Sequence, residues 1–112
     1  MPTRRRWPGV AVLDNKIYVT GGHEVVHGGQ TMSSVDCYDP NTNTWSQMAN
    51  MNIARWSHSL VSLQGRLYAI GGDWVDDVEV YDPYSNTLGG RAKLKKYLLS
   101  MPMASLGNKK FL

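Results

Sequence analysis

The sequence predicts an all-β chain of two four-stranded antiparallel sheets, the second incomplete, and three observations lead there. The first is an internal repeat. Sliding the chain by 50 positions sets Met51-Asn-Ile-Ala-Arg55 under Met1-Pro-Thr-Arg-Arg5, and Arg66-Leu-Tyr-Ala-Ile-Gly-Gly72 under Lys16-Ile-Tyr-Val-Thr-Gly-Gly22, without a gap. The match resumes at an offset of 43, pairing Val35-Asp-Cys-Tyr-Asp-Pro40 with Val78-Glu-Val-Tyr-Asp-Pro83. The second is local: each copy holds short runs of β-branched and aromatic residues punctuated by turn chemistry, the pattern of strands rather than helices. The third is composition. With 42% hydrophobic and 19% charged residues, the 112-residue chain is too apolar for a disordered tail. No stretch approaches the roughly 20 apolar residues of a membrane span.

The elements follow in order. Val10 to Leu13 and Ile17 to Thr20 flank the turn-like Asp14-Asn15, which makes a hairpin. The second copy repeats it as Leu60 to Leu63, Gln64-Gly65 and Leu67 to Ile70. A glycine pair then ends the strand, Gly21-Gly22 or Gly71-Gly72, where a missing Cβ permits positive φ or close backbone approach. Twelve residues separate Gly22 from Val35 but only five separate Gly72 from Val78, so the first copy carries the longer loop. Third strands run from Val35 to Tyr38 and from Val78 to Tyr81, each followed by a dense turn: Asp39-Pro-Asn-Thr-Asn43 or Asp82-Pro-Tyr-Ser-Asn86. A fourth begins near Thr44-Trp45 in the first copy. In the second, Leu88 stands where Trp45 stands, and the sheet is expected to stop short.

These boundaries divide the chain into repeat 1 at 1–48, an incomplete repeat 2 at 49–90, and a divergent basic tail at 91–112. The tail changes the meaning of the net charge. Residues 1–90 sum to −3 and residues 91–112 to +6, giving the overall +3. Leu94, Leu98 and Met101 allow a short amphipathic helix closed by Pro102, although a divergent terminus is the preferred reading.

Four consecutive antiparallel strands per roughly 50 residues describe one blade of a β-propeller. Gly21-Gly22 followed by Tyr38-Asp39-Pro40 and Trp45, and Gly71-Gly72 followed by Tyr81-Asp82-Pro83, then resemble the kelch motif. The wording from Val35 to Trp45 and from Arg66 to Gly72 is most similar to animal kelch-like proteins, over residues 1–88. Propellers have four to eight blades, so two blades are expected to be a fragment of a longer protein. Gly21, Gly22, Tyr38, Trp45, Gly71, Gly72 and Tyr81 are assigned structural roles, since large aromatics fill the wedge between blades.

The resemblance also implies a function. Kelch-like proteins couple a BTB and a BACK domain, which engage a cullin ubiquitin ligase, to a propeller that recruits the substrate. The chain is therefore expected to be a non-catalytic protein-interaction module, a piece of such an adaptor, with cullin reached only through domains outside it. An actin-binding cytoskeletal kelch protein is the alternative. The partner, a protein or degron peptide, is expected on loops His23 to Ser34, Ala49 to Ser57 and Asp73 to Asp77. Arg6, His23, His27, Arg55, Trp56, Ser57 and Trp74 are the candidate contact residues, because Trp and Arg dominate binding hot spots.

Other chemistries are weaker. His23-Glu24-Val25-Val26-His27 spells H-E-x-x-H, the zinc-hydrolase motif, but glycines flank it and β-branched valines fill its centre, opposing the helix the motif needs. Ser57-His58 lacks an orienting acid. A copper-oxidase reading lacks a recognisable ligand set, so no cofactor or metal is expected. Arg4-Arg5-Arg6 on an acidic body does not suggest nucleic acid, and no membrane partner is expected. One cysteine, Cys37, and no apolar leader point to the cytoplasm.

Overall fold

The computed structural model describes residues 4–25 and 29–93. Its described residues form ten strands and no helix: β1 (Arg5–Arg6), β2 (Gly9–Leu13), β3 (Lys16–Thr20), β4 (His23–Glu24), β5 (Val35–Asp39), β6 (Thr44–Met48), β7 (Ser59–Leu63), β8 (Arg66–Ile70), β9 (Asp77–Asp82) and β10 (Thr87–Lys93). They assemble into two four-stranded meanders, β2-β3-β5-β6 and β7-β8-β9-β10, every pairing antiparallel. A short β1–β4 ribbon stands beside the first.

Both predicted hairpins form, and their turns show why. Asp14 and Asn15 have φ of 52° and 61°, and Gln64 and Gly65 have 51° and 77°. Two successive left-handed residues give the primed turn whose twist matches that of paired strands. The closing pairs are Leu13 with Lys16 and Leu63 with Arg66.

The second sheet, expected to be unfinished, has its fourth strand. β10 pairs with β9 and sets Leu88 opposite Tyr81, the register place that Trp45 takes opposite Tyr38. Backbone pairing forms a strand whether leucine or tryptophan fills the position. The register then shifts between Gly89 and Ala92, where a bulge accommodates the local sequence. The candidate helix at Leu94, Leu98 and Met101 lies outside the described residues.

The sheets stack with unlike faces together. Tyr18, Val35 and Cys37 of the first sheet meet Leu60, Leu67, Ala69 and Tyr81 of the second in one buried cluster, with Met51 from the linking segment. The Tyr18 and Tyr81 rings lie 6.2 Å apart. Each fully buried Val, Leu or Met side chain of the cluster contributes roughly 1.5–3 kcal/mol. Strand alternation fixes which face is used. The repeat counterparts of Leu60, Leu67 and Tyr81 are Val10, Ile17 and Tyr38, on the opposite face of the first sheet from Tyr18. That face is open, with Val10 56% and Val12 60% exposed. The far face of the second sheet differs, since Val61, Ile70 and Val78 there are buried.

One arginine per repeat ties each sheet to the segment entering it. The Arg55 guanidinium, fully buried, donates to the Gly71 and Asp77 carbonyls at 3.0 and 3.2 Å and to the carboxylates of Asp77 and Glu79 at 2.9 and 2.7 Å. Arg5 repeats the pattern on the Gly21 and Ser34 carbonyls, at 2.8 and 3.2 Å, and on Asp36 at 2.5 Å. Engaging the terminal nitrogens of a buried guanidinium on several acceptors at once offsets much of the cost of its burial, although Nε of both arginines is buried without a partner.

Candidate functional site

The glycine pairs bring the loops to one end of the stacked sheets. Gly21 and Gly22, at φ of 59° and 98°, turn the chain so that the Gly22 N–H donates to the Arg55 carbonyl at 2.8 Å. A Cβ on Gly21 would collide with that carbonyl, so glycine is required there. The Ser57 N–H in turn donates to the Trp7 carbonyl, and the Asp73 N–H to the Trp56 carbonyl, both at 2.9 Å. These bonds knit the entries of both repeats together at this end.

An aromatic cluster is the result. The Trp7 and Trp56 rings are 5.0 Å apart, and His23 stands edge-on to both, at 6.5 and 6.0 Å. Gly29 lets the loop pass over the imidazole, since a Cβ there would fall 2.5 Å from the His23 ring. Trp7 is half exposed and holds φ 53°, while Trp74, at φ 65°, is 98% exposed. A bulky residue in the left-handed region is costly, and here two tryptophans adopt it while facing solvent. Arg6, Asp73 and Asp76 are exposed around them.

The predicted contact residues fare differently. Arg6, His23, Trp56, Ser57 and Trp74 all lie at this end, and His27 lies outside the described residues. Arg55 is corrected: it is fully buried and engaged by Asp77 and Glu79, so it supports the loops instead of meeting a partner. Sequence reading missed Trp7, the member whose ring lies tilted against Trp56. Its signal was its repeat position over Ser57, since both adopt positive φ, at 53° and 57°. Of the residues given structural roles, Tyr81 is in the core, whereas Tyr38 and Trp45, 5.0 Å apart, are half-buried on the open face.

Among the described residues the catalytic alternatives find no supporting geometry. His23 and Glu24 are an extended strand paired with Arg6 and Arg5, not the first turn of a helix that would align two imidazoles. The loop expected from His23 therefore begins as a ribbon, closed further by a His23 to Thr31 bridge. His58 bonds Thr20 through Nε2 at 2.7 Å, with Ser57 exposed beside it, so no serine–histidine pair forms. Burial, reinforced by the Arg55 charge, pushes the His58 pKa down to about 4. At the opposite end a crevice of about 280 Å³ has Tyr18 and Cys37 in its lining. Burial raises the pKa of both groups, leaving the thiol protonated and a poor nucleophile.

The blade-like meanders, the glycine pairs and the repeated arginine anchors define a class. A family model described as the Kelch motif matches residues 4–52 and 55–87, and the chain belongs to that family. It is 44% identical over 68 residues to human Kelch-like protein 28, covering 56% of this chain and 12% of that protein. Human Kelch-like protein 42 is 43% identical over 63 residues, with the same coverage. Mouse Kelch-like protein 41 is 35% identical over 74 residues, 63% of this chain and 12% of that protein. The chain thus spans about 12% of the length of these relatives.

Proposed function

We propose that the loop end is a protein-recognition surface, and that the chain is part of the substrate-recruiting module of a cytoplasmic kelch-like adaptor for a cullin ubiquitin ligase. The observation that carries the first step is Trp74, almost fully exposed on a left-handed backbone, next to Asp73, whose N–H bonds the carbonyl of Trp56 in the Trp7–Trp56–His23 cluster. Large rigid rings offer contact area at little entropic cost, and a scaffold that holds them in strained positions pre-organises them for a partner. The adaptor assignment is supported by the kelch-like relatives, whose length leaves room for the domains that would engage cullin.

The test is quantitative binding of a partner to the full protein. Trp74→Ala and Trp7→Ala are each expected to weaken it at least tenfold, while Val12→Ala on the open sheet face changes it less than twofold. Equal affinity for all three variants would sink the loop-end assignment. A partner that binds normally but is not ubiquitinated by the assembled ligase would sink the adaptor assignment alone.

A further inference from the structure

The turns before the last strand of each sheet share a frame but differ in one side chain. Between β9 and β10, the Tyr84 N–H donates to Asp82 Oδ1 at 2.9 Å, and the Ser85 and Thr87 hydroxyls bond at 2.6 Å. Between β5 and β6, the Asn41 N–H donates to Asp39 Oδ1 at 2.9 Å, and the Thr42 and Thr44 hydroxyls bond at 2.6 Å. The same turn folds with tyrosine or asparagine at its corner, so the ring is not there for the turn. What the ring adds is a contact. The Tyr84 hydroxyl donates to Asp14 Oδ2 at 3.0 Å, joining this turn to the β2–β3 turn of the first sheet, 70 residues away in sequence. Gln64 holds the place of Asp14 in the second repeat, so both members of the pair depart from the repeat pattern.

Asp14 and Tyr84 both line the crevice of about 280 Å³, with Lys16, Tyr18, Cys37 and Met48. Tyr18 and Cys37 are buried in it, at 4% and 6% exposure, whereas Tyr84 is 81% exposed. Of the described tyrosines, Tyr18 and Tyr81 are buried and Tyr38 and Tyr68 are half-buried, so Tyr84 is the one that offers its whole phenol to an enzyme. The Asp14 hydrogen bond and charge push the Tyr84 pKa up, which keeps the phenol protonated and the bond made.

We propose that Tyr84 is a phosphorylation site for a protein tyrosine kinase, and that the phosphate releases the Asp14 latch and opens the crevice. The phenolic oxygen attacks the γ-phosphorus of ATP held by the kinase, and the bond from that phosphorus to the β–γ bridging oxygen breaks. ADP leaves, and the phenolic proton passes to the catalytic carboxylate of the kinase. The product has no hydroxyl to donate. It carries a charge of about −1.5 to −2 at pH 7 beside the Asp14 and Asp82 carboxylates, and like-charge repulsion parts the two turns. Cys37 then becomes reachable from solvent. The site lies at the opposite end from the recognition loops and does not rest on the function proposed above.

The test treats the full chain with a recombinant tyrosine-kinase catalytic domain and Mg-ATP, and reads sites by peptide mass spectrometry. Phosphate is expected first on Tyr84, with Tyr38 and Tyr68 lagging. The chain expressed in mammalian cells and recovered after tyrosine-phosphatase inhibition should carry the same phosphopeptide. N-ethylmaleimide then reports the crevice, since Cys37 is the one cysteine of the 112-residue sequence. Its alkylation should run at least about threefold faster after phosphorylation, as expected for losing one hydrogen bond, and phosphatase treatment should restore the first rate. Tyr84→Phe, which loses the bond without gaining charge, should itself alkylate about twofold to threefold faster and respond no further to the kinase. Asp14→Asn, whose amide oxygen still accepts the phenol, should leave the unphosphorylated rate within about twofold. Tyr84 left unmodified while the kinase phosphorylates it in a free peptide of residues 79–88, or absence of the phosphopeptide from the cells, would overturn the proposal. So would a Cys37 rate unchanged by the phosphate, or a raised rate that phosphatase does not reverse.

Discussion

His58 is the residue in which burial has the clearest chemical consequence. It sits under the glycine turns, where a Cβ on Gly9 would fall 2.6 Å from its Nε2, and its Nδ1 is buried without a partner. A charged ring cannot be hydrated there, and Arg55 nearby opposes the same charge, so the pKa falls from 6.5 to about 4. Unfolding restores the ordinary value. Between these limits the unfolded chain binds a proton that the folded chain refuses, so the stability this group gives is intact above pH 6.5 and is lost as pH falls. The loss reaches about 3 kcal/mol near pH 4. The His58 ring resonances should therefore stay neutral at pH 5, and titration near 6.5 would refute its burial. Neither feature was legible in the Ser57-His58 dipeptide, because the Thr20 hydroxyl that engages the ring comes from 38 residues away. Arg55 shows the same limit. Its repeat position was visible, but its exposure was set by Asp77 and Glu79, which reach it only once β9 has paired with β8.

The hairpins are the elements most fully written in the sequence, because a two-residue turn and its flanking alternation are local. Asp14-Asn15 and Gln64-Gly65 both adopt the left-handed pair. Gln64 is the weak member, since its side chain has no special tolerance of φ 51°, whereas Asn-Gly is the preferred pair for this turn. Gln64→Asn should raise stability by roughly 0.5–1 kcal/mol, read as a higher urea midpoint at unchanged slope. An unchanged or lowered midpoint would mean the turn is not the primed type. The β1–β4 ribbon was illegible by contrast. Two-residue strands carry no period, and their pairing of Arg5 with Glu24 and Arg6 with His23 depends on the glycine turn between them. The fourth strand of the second sheet was misjudged for a related reason. Missing tryptophan was read as a missing strand, but pairing to β9 is made by backbone groups that every residue except proline carries.

At the scale of the molecule, the open face of the first sheet is the largest departure from a closed core. Val10 and Val12 are exposed on it, above the half-buried Tyr38 and Trp45. An apolar sheet face of this kind drives association. The isolated chain should show concentration-dependent sedimentation, and Val12→Lys should shift it toward the monomer while changing the unfolding free energy by less than about 0.5 kcal/mol. A wild-type chain that stays monomeric at every concentration would show that the face is not sticky. The sequence revealed that two sheets of one kind exist, since the repeat and its offsets are countable. Which side of each is buried required the register, because the apolar residues of Val10 to Leu13 occupy both sides of their strand.

The stacking of unlike faces has a last consequence, which concerns symmetry. Contact between a surface and a different surface of the next unit contains no instruction to stop. The rotation from one sheet to the next decides whether repetition closes on itself or runs on as a fibre, so the packing across the interface where Tyr18 meets Tyr81 is also a choice between a ring and a polymer.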